Sequence, residues 1–228
     1  MSKSTLIIAA HPDDEVLGCG GTIAKLANEG VIVRVAFLAD GVFSREGEQK
    51  KDQQKELKDR RTAAQQACDI LGVKSVSFGD FPDNKMDVSP LLDIVKAVEE
   101  LILKHQPDTL FTHHCGDVNI DHRRIHEAVV AACRPQNGHP VKKLLSFEVA
   151  SSTEWQLPHS ATSFSPNYFV DISATLAKKM AALDLYAKEL RRWPHPRSPK
   201  AVAHLAHWRG ATVGVEAAEA FILSRQLA

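Results

Sequence analysis

The sequence predicts an α/β fold, a three-layer sandwich on a mostly parallel, Rossmann-like sheet. Three observations carry this. Apolar strand-like runs and helical stretches alternate four times before residue 135. Polar, histidine-bearing loops follow the first and the fourth of those strands. The chain is also long enough, at 228 residues, to bury about 70% of its unfolded surface without disulfides. Such alternation gives right-handed βαβ units and a sheet covered by helices on both faces. Residues 1–228 read as a single domain, because no repeat, low-complexity tract or composition break divides them.

Thr5–Ala10 (TLIIAA) is apolar without alternation, as in a strand buried on both faces. Val16–Asn28 reads as a helix stopped by Gly30. Val31–Ala39 is the second strand, closed by an Asp40-Gly41 turn. Gln49–Leu71, charged and then Ala-rich, is a helix ended by Gly72, and Lys74–Phe78 is the third strand. Ser89 is placed as the cap of a helix running through Lys104, with Ile94, Val95, Val98 and Ile102 in its apolar stripe. Pro107-Asp108 leads into the fourth strand, Thr109–His113. Beyond the loop Arg134–Gly138, Leu144–Val149 and Tyr168–Ile172 read as strands, and Ser173–Leu190 as a helix capped by Ser173. Pro194–Pro199 (PHPRSP) reads as a loop, and the chain is expected to end in a helix near Val215–Gln226.

Lys+Arg and Asp+Glu both number 28, so no net field gathers nucleic acid or anionic membrane. No basic run is interleaved with aromatics, which also argues against a nucleic-acid surface. Cys19, Cys68, Cys115 and Cys133 form no C-x-x-C pair. The opening apolar run is too short for a signal h-region or a membrane span, so a reducing, cytoplasmic setting is expected. Apolar positions on the expected terminal helix suit a homo-oligomer.

His11-Pro12-Asp13-Asp14-Glu15 directly follows the first strand, and His113-His114-Cys115-Gly116-Asp117-Val118-Asn119-Ile120-Asp121-His122 directly follows the fourth. Ligands of doubly wound sheets collect beyond the strand carboxyl ends where strand order reverses, and the usual order sets these two strands side by side there. The two loops should therefore face each other. His11, Asp14 and His122 offer two nitrogens and an oxygen, the three-ligand set of a catalytic zinc, with Asp13 beside it as general base. The plain alternative makes the acids first-turn helix charges and His11 an ordinary strand-end histidine. It fits either loop alone better than the pair.

Ala10-His11-Pro12-Asp13-Asp14-Glu15, with Gly18, Gly20-Gly21-Thr22 and Asp121-His122-Arg123, closely resembles the LmbE-like (PIG-L) zinc-dependent N-deacetylases. The resemblance runs from Thr5 to Leu223, through Gly210–Gly214 and Ala218–Phe221. It implies the LmbE-like fold, a Zn2+ ion on His11, Asp14 and His122, Asp13 as base, and Arg60 lining the active site. It also implies hydrolysis of the N-acetyl group of a small amino-sugar conjugate, with release of acetate. Two positions depart from the family pattern. Asn119 stands where H-x-D-H has its first histidine; it can donate to an oxyanion but cannot act as a general acid. Ala63 stands where R-x-x-E would place an acid. The leaving amine must then take its proton from Asp13 or a nearby histidine. Asp121 is placed behind an imidazole, fixing its tautomer.

His195 and Arg197, in a proline-bounded loop, are placed over the substrate, with Glu148, Glu154 and Trp155 on the same rim and Arg209 suited to an anionic group. His126, one helical turn from His122, is a further metal contact to consider, and one of His113 and His114 should point inward. Gly18-Cys19-Gly20-Gly21 does not complete a dinucleotide fingerprint and is better explained by close helix–strand packing. Two rival functions stand beside deacetylation: a zinc amidohydrolase for another small N-acyl conjugate, and a non-catalytic sugar- or nucleotide-binding protein.

Overall fold

The computed structural model describes residues 3–39, 50–157 and 159–228. The expected Asp40-Gly41 turn and the helix start at Gln49 lie outside them. Strands β1 (Ser4–Ala9), β2 (Ile32–Ala39), β3 (Ser75–Phe81), β4 (Thr109–His113) and β5 (Lys143–Phe147) are joined by helices α1 (Asp14–Asn28), α2 (Lys50–Leu71), α3 (Leu91–His105) and α4 (Ile120–Ala132). Strand β6 (Tyr168–Asp171), helices α5 (Leu176–Asp184) and α6 (Pro199–Ala211) and strand β7 (Ala218–Gln226) complete the fold. The sheet order is β3-β2-β1-β4-β5-β7-β6. The first five strands are mutually parallel, and β7 runs antiparallel between β5 and β6.

Strand alternation explains the layers. On β1, Ile7 and Ala9 face one core with Val16, Phe37, Ala64, Phe147 and Leu183, which brings α1, α2 and α5 to that side. Leu6 and Ile8 face the other core with Ile94, Val98, Ile125 and Val129, which brings α3 and α4 to the opposite side. β1 and β4 are direct neighbours, and chain order reverses between them, so their following loops share one crevice as expected. The glycines of α1 let it lie close on the sheet. A Cβ at Gly18 would meet the Phe147 ring at 2.4 Å, and one at Gly21 would meet Ile172 at 2.7 Å.

Four expectations are corrected. Val215–Gln226 is no helix: Ala218–Gln226 forms β7, paired on both sides. The face on which a homo-oligomer was expected therefore does not exist. Ser173 does not cap its helix, because its hydroxyl donates to Asp171 Oδ1 at 2.6 Å; α5 starts at Leu176 and ends at Asp184, short of Leu190. Ser89 makes no capping bond to α3, whose flanking residue is Pro90. The proline-rich loop ends in a helix that the sequence reading passed over. Ser198 Oγ accepts from the Ala201 N–H at 3.1 Å and Pro199 takes the first helical position of α6.

Candidate metal centre

The turn after β1 aims three acids at different tasks. Asp14 N–H donates to the His11 carbonyl at 3.2 Å, closing a turn over Pro12-Asp13 in which Asp13 has φ 118°. Pro presets the first central position of such a turn, while a positive φ at the second is strained for a residue with a Cβ. Glu15 holds that strain in place. Its Oε2 accepts from the Asp13 N–H at 3.1 Å and its Oε1 from the Tyr186 hydroxyl at 2.6 Å. The last residue of the motif is thus a buried brace, a role the sequence reading did not assign.

His11, Asp14 and His122 converge. His11 Nδ1 lies 3.4 Å and His122 Nε2 3.3 Å from Asp14 Oδ2. Each imidazole is backed by carboxylates on its far nitrogen. His11 Nε2 is 2.9 Å from Asp121 Oδ2 and 2.9 Å from Asp83 Oδ1, and His122 Nδ1 is 3.1 Å from Asp117 Oδ2. A proton held on those far nitrogens leaves His11 Nδ1 and His122 Nε2 bare towards Asp14, as metal ligation requires. The backing acids are fixed in turn. Asp121 accepts from the Asn84 and Met86 N–H groups at 2.6 and 3.0 Å, and Asp117 accepts from the Ser152 and Thr153 hydroxyls. His122 Nε2 and Asp14 Oδ1 are buried with no hydrogen-bond partner among the described residues. Orphaned polar atoms on two of three side chains whose ligand atoms lie within 4.8 Å of one another are costly to bury unless a cation joins them, so the residues present fit a metal ion.

The electrostatics agree. Burial pushes Asp13 up to about 7 against the pull of the Arg197 guanidinium, and burial pushes Glu15 up to about 8. Burial acts to lower His122, yet the Asp14 and Asp117 carboxylates carry it to about 9. His122 and its neighbouring imidazoles hold Asp14 well below the usual carboxylate range despite its burial.

The remaining predicted residues are placed as follows. Arg197 Nη1 reaches Asp13 Oδ2 at 3.3 Å, so the loop before α6 meets the turn after β1. His195 Nδ1 accepts from the Arg197 N–H at 3.0 Å, and its ring packs edge-to-face with Trp155 at 5.5 Å. Arg60 is set against Glu189 at 2.7 Å. Asn119 caps α4, its Oδ1 accepting from the Asp121 N–H at 2.8 Å while its Nδ2 donates to Asn84 Oδ1 at 3.0 Å. His126 turns its Nδ1 to the His113 carbonyl at 2.8 Å and does not join the His11–Asp14–His122 cluster. Of the strand-end pair, His113 is the inward one. It stacks on His122 at 3.8 Å, and its Nε2 accepts from the Ala10 N–H at 2.8 Å. Asp83 and Ser152 escaped sequence reading because they reach the site from loops without a motif.

The family model described as "PIG-L: GlcNAc-PI de-N-acetylase" matches residues 6–133. The chain is 28% identical over 181 residues to the uncharacterized deacetylase YaiS of Escherichia coli, covering 77% of this chain and 90% of the relative. It is 29% identical over 205 residues to a 4-oxalmesaconate hydratase of Pseudomonas putida, covering 85% and 76%. Identity is also 29% over 200 residues with a diacetylchitobiose deacetylase of Thermococcus kodakarensis, covering 79% and 68%. Among solved structures, the 4-carboxy-2-hydroxymuconate hydratase GalB superposes with a TM-score of 0.79 at 24% identity, covering 99% of this chain and 98% of that one.

Proposed function

The chain belongs to the PIG-L family, and from that premise we propose that it is a zinc-dependent hydrolase removing the N-acetyl group of an amino sugar. The observation that carries this reading is the convergence of two carboxylate-backed imidazoles and Asp14 on one point, with Asp13 alongside. His11, Asp14 and His122 would hold the ion. When bound, a divalent zinc activates a water and polarises the amide carbonyl.

This chain's own residues do the rest. Asp13 takes the proton of the attacking water, held in orientation by Arg197 at 3.3 Å and by the Glu15 brace on its backbone. Asn119 gives one N–H of its amide to Asn84, and the other is assigned to the developing oxyanion. Asp13 then returns the proton to the departing amine, so no second acid is needed where the family has its additional histidine. Asp121 and Asp117 keep the ligating imidazoles in their tautomers. Arg197 thus orients the base before it touches substrate, while His195 and Arg60 are kept as substrate contacts on the rim and beside Glu189.

Deacetylation is supported by the family description and by the deacetylase relatives. The hydratase relative supports a second reading, water addition to a carbon–carbon double bond at the same centre. Acetate release decides between them. Metal-loaded protein should liberate acetate from N-acetylglucosamine or a simple conjugate of it, and no acetate together with hydration of an unsaturated acid would replace the first reading by the second. Zinc itself is checked by elemental analysis of protein purified without chelators. A cytoplasmic setting is supported by the unpaired thiols of Cys19, Cys68, Cys115 and Cys133. No helix among the described residues is long and apolar enough to cross a membrane.

A further inference from the structure

We infer, on the deacetylase reading above, that Asn84 is a positioning residue: it sets the plane of the Asn119 amide and so aims the N–H left for the developing oxyanion. Asn119 is held at its backbone and at its side-chain oxygen. Its N–H donates to Asp117 Oδ1 at 2.8 Å, and its Oδ1 caps α4 by accepting from the Asp121 and His122 N–H groups at 2.8 and 3.4 Å. The cap decides which end of the amide is oxygen, so the Nδ2 end is turned away from the helix. A carbonyl oxygen accepts over a broad angular range, however, and capping alone leaves the tilt of the amide plane loosely set. The other end sets it. Nδ2 donates one N–H to Asn84 Oδ1 at 3.0 Å, its one acceptor among the described residues. An amide carries two N–H groups on one planar nitrogen, and binding one of them is what aims the other.

Asn84 is itself anchored for this task. Its φ of 52° is left-handed, a conformation that Asn visits more readily than most residues with a Cβ. In that conformation its backbone N–H donates to Asp121 Oδ2 at 2.6 Å, the oxygen that stands 2.9 Å from His11 Nε2. Its Nδ2 donates to Asp83 Oδ1 at 3.2 Å, an oxygen that also stands 2.9 Å from His11 Nε2. Met86 N–H takes the second oxygen of Asp121 at 3.0 Å, so the whole turn is seated on that carboxylate. With its N–H and its Nδ2 both bound to the acids behind His11, Asn84 has its Oδ1 left in a fixed direction, and Asn119 lies there. One residue of the loop after β3 thus joins the acids behind His11 to the amide that caps the helix of His122.

Asn84→Gly tests this, because glycine adopts a positive φ without strain and keeps the backbone N–H that Asp121 accepts. In metal-free protein, the side-chain amide resonances of Asn119, identified by their absence from Asn119→Ser, should shift and exchange faster with water in Asn84→Gly. Metal affinity measured by competition with a chelator should stay at the native level, since both acids behind His11 remain. The probe for turnover is N-acetylglucosamine or N,N′-diacetylchitobiose, whichever the zinc-loaded native chain hydrolyses faster. Asn84→Gly should lower kcat about tenfold at unchanged KM, part of the ~10²–10³ that a whole oxyanion donor contributes. Asn119→Ser keeps a capping oxygen but has no amide, so adding Asn84→Gly to it should cost nothing further. Unchanged amide resonances and kcat in Asn84→Gly, or an equal loss in the Asn119→Ser background, would overturn the inference while leaving deacetylation standing. Acetate from neither probe with the native chain would remove the deacetylase reading and this inference with it.

Discussion

At the scale of single residues, the chemistry rests on which atom of each side chain is left bare. Asp13 and Asp14 are adjacent, yet the turn sends Asp14 into the histidine pair and Asp13 towards Arg197. Asp13→Asn should therefore lower kcat by ~10²–10⁴ while metal content stays at the native level. His122→Ala should lose the metal, because it removes one of two orphaned ligand atoms. Full turnover by the Asp13 variant would move the base elsewhere. The backing shell makes a sharper claim. Asp117→Asn keeps the size of the side chain but takes the charge from behind His122, and metal affinity measured by competition with a chelator should fall ~10–100-fold. The ligand trio was legible because its members sit in motifs at strand ends. Asp83 was not legible, since it meets His11 from the loop after β3 and no spacing in the sequence connects the two. Glu15 lay in plain view inside the motif, but its work as a brace depends on Tyr186, which comes from beyond α5.

At the scale of elements, α1 shows why late parts of the chain matter to an early motif. The helix breaks at Cys19, with φ −148° and ψ 22°, so its first turns are separate from the rest. Glu219 of β7 caps the second segment by accepting from the Gly21 and Thr22 N–H groups at 2.9 and 2.7 Å. Lys179 of α5 bonds Glu219 at 2.6 Å and the Leu17 carbonyl at 2.9 Å, closing the end of the first segment. Both charges are buried. Lys179→Met should destabilise the fold by ~3–5 kcal/mol, since it leaves a buried carboxylate without its counter-charge. Pairing it with Glu219→Gln should recover part of that loss in a denaturant melt. A near-neutral single variant would show that the pair contributes nothing to the fold. This clamp also explains a misreading. Ala, Glu and Leu in Ala218–Leu223 are poor signals for a strand, and their local preference pointed to a helix. Pairing on both edges and burial of Glu219 against α1 override that preference, and neither is visible in a local window.

At the scale of the whole molecule, the parallel half of the sheet was readable because βαβ alternation leaves few topologies, and the β1–β4 switch point followed from it. That topology collects charges at one end of the sheet which, without a metal, act on the stability of the entire fold. Asp13 rises from 3.8 to about 7 and Glu15 from 4.5 to about 8, both through burial. His122 rises from 6.5 to about 9, its carboxylate neighbours outweighing burial, and His11 is raised in the same sense. Among the groups facing them, His113 is lowered by burial and pulls the other way, while Asp14 and Asp117 are lowered and act only in acid. A group with a raised folded pKa holds more protons in the folded than in the unfolded state, so its favourable contribution fades as pH climbs through the interval between the two values. Chelator-treated protein should accordingly lose thermal stability as pH rises from about 4 to about 9, with Asp13 and Glu15 acting over the lower part and His122 over the upper. A bound divalent ion replaces the protons as the counter-charge. The gap in melting temperature between zinc-loaded and chelated protein should therefore widen with pH over the same range. Melting curves at several pH values, with and without zinc, measure this directly. A gap that stays constant or narrows would mean that the clustered carboxylates and imidazoles are neutralised by something other than the metal at the β1–β4 crevice.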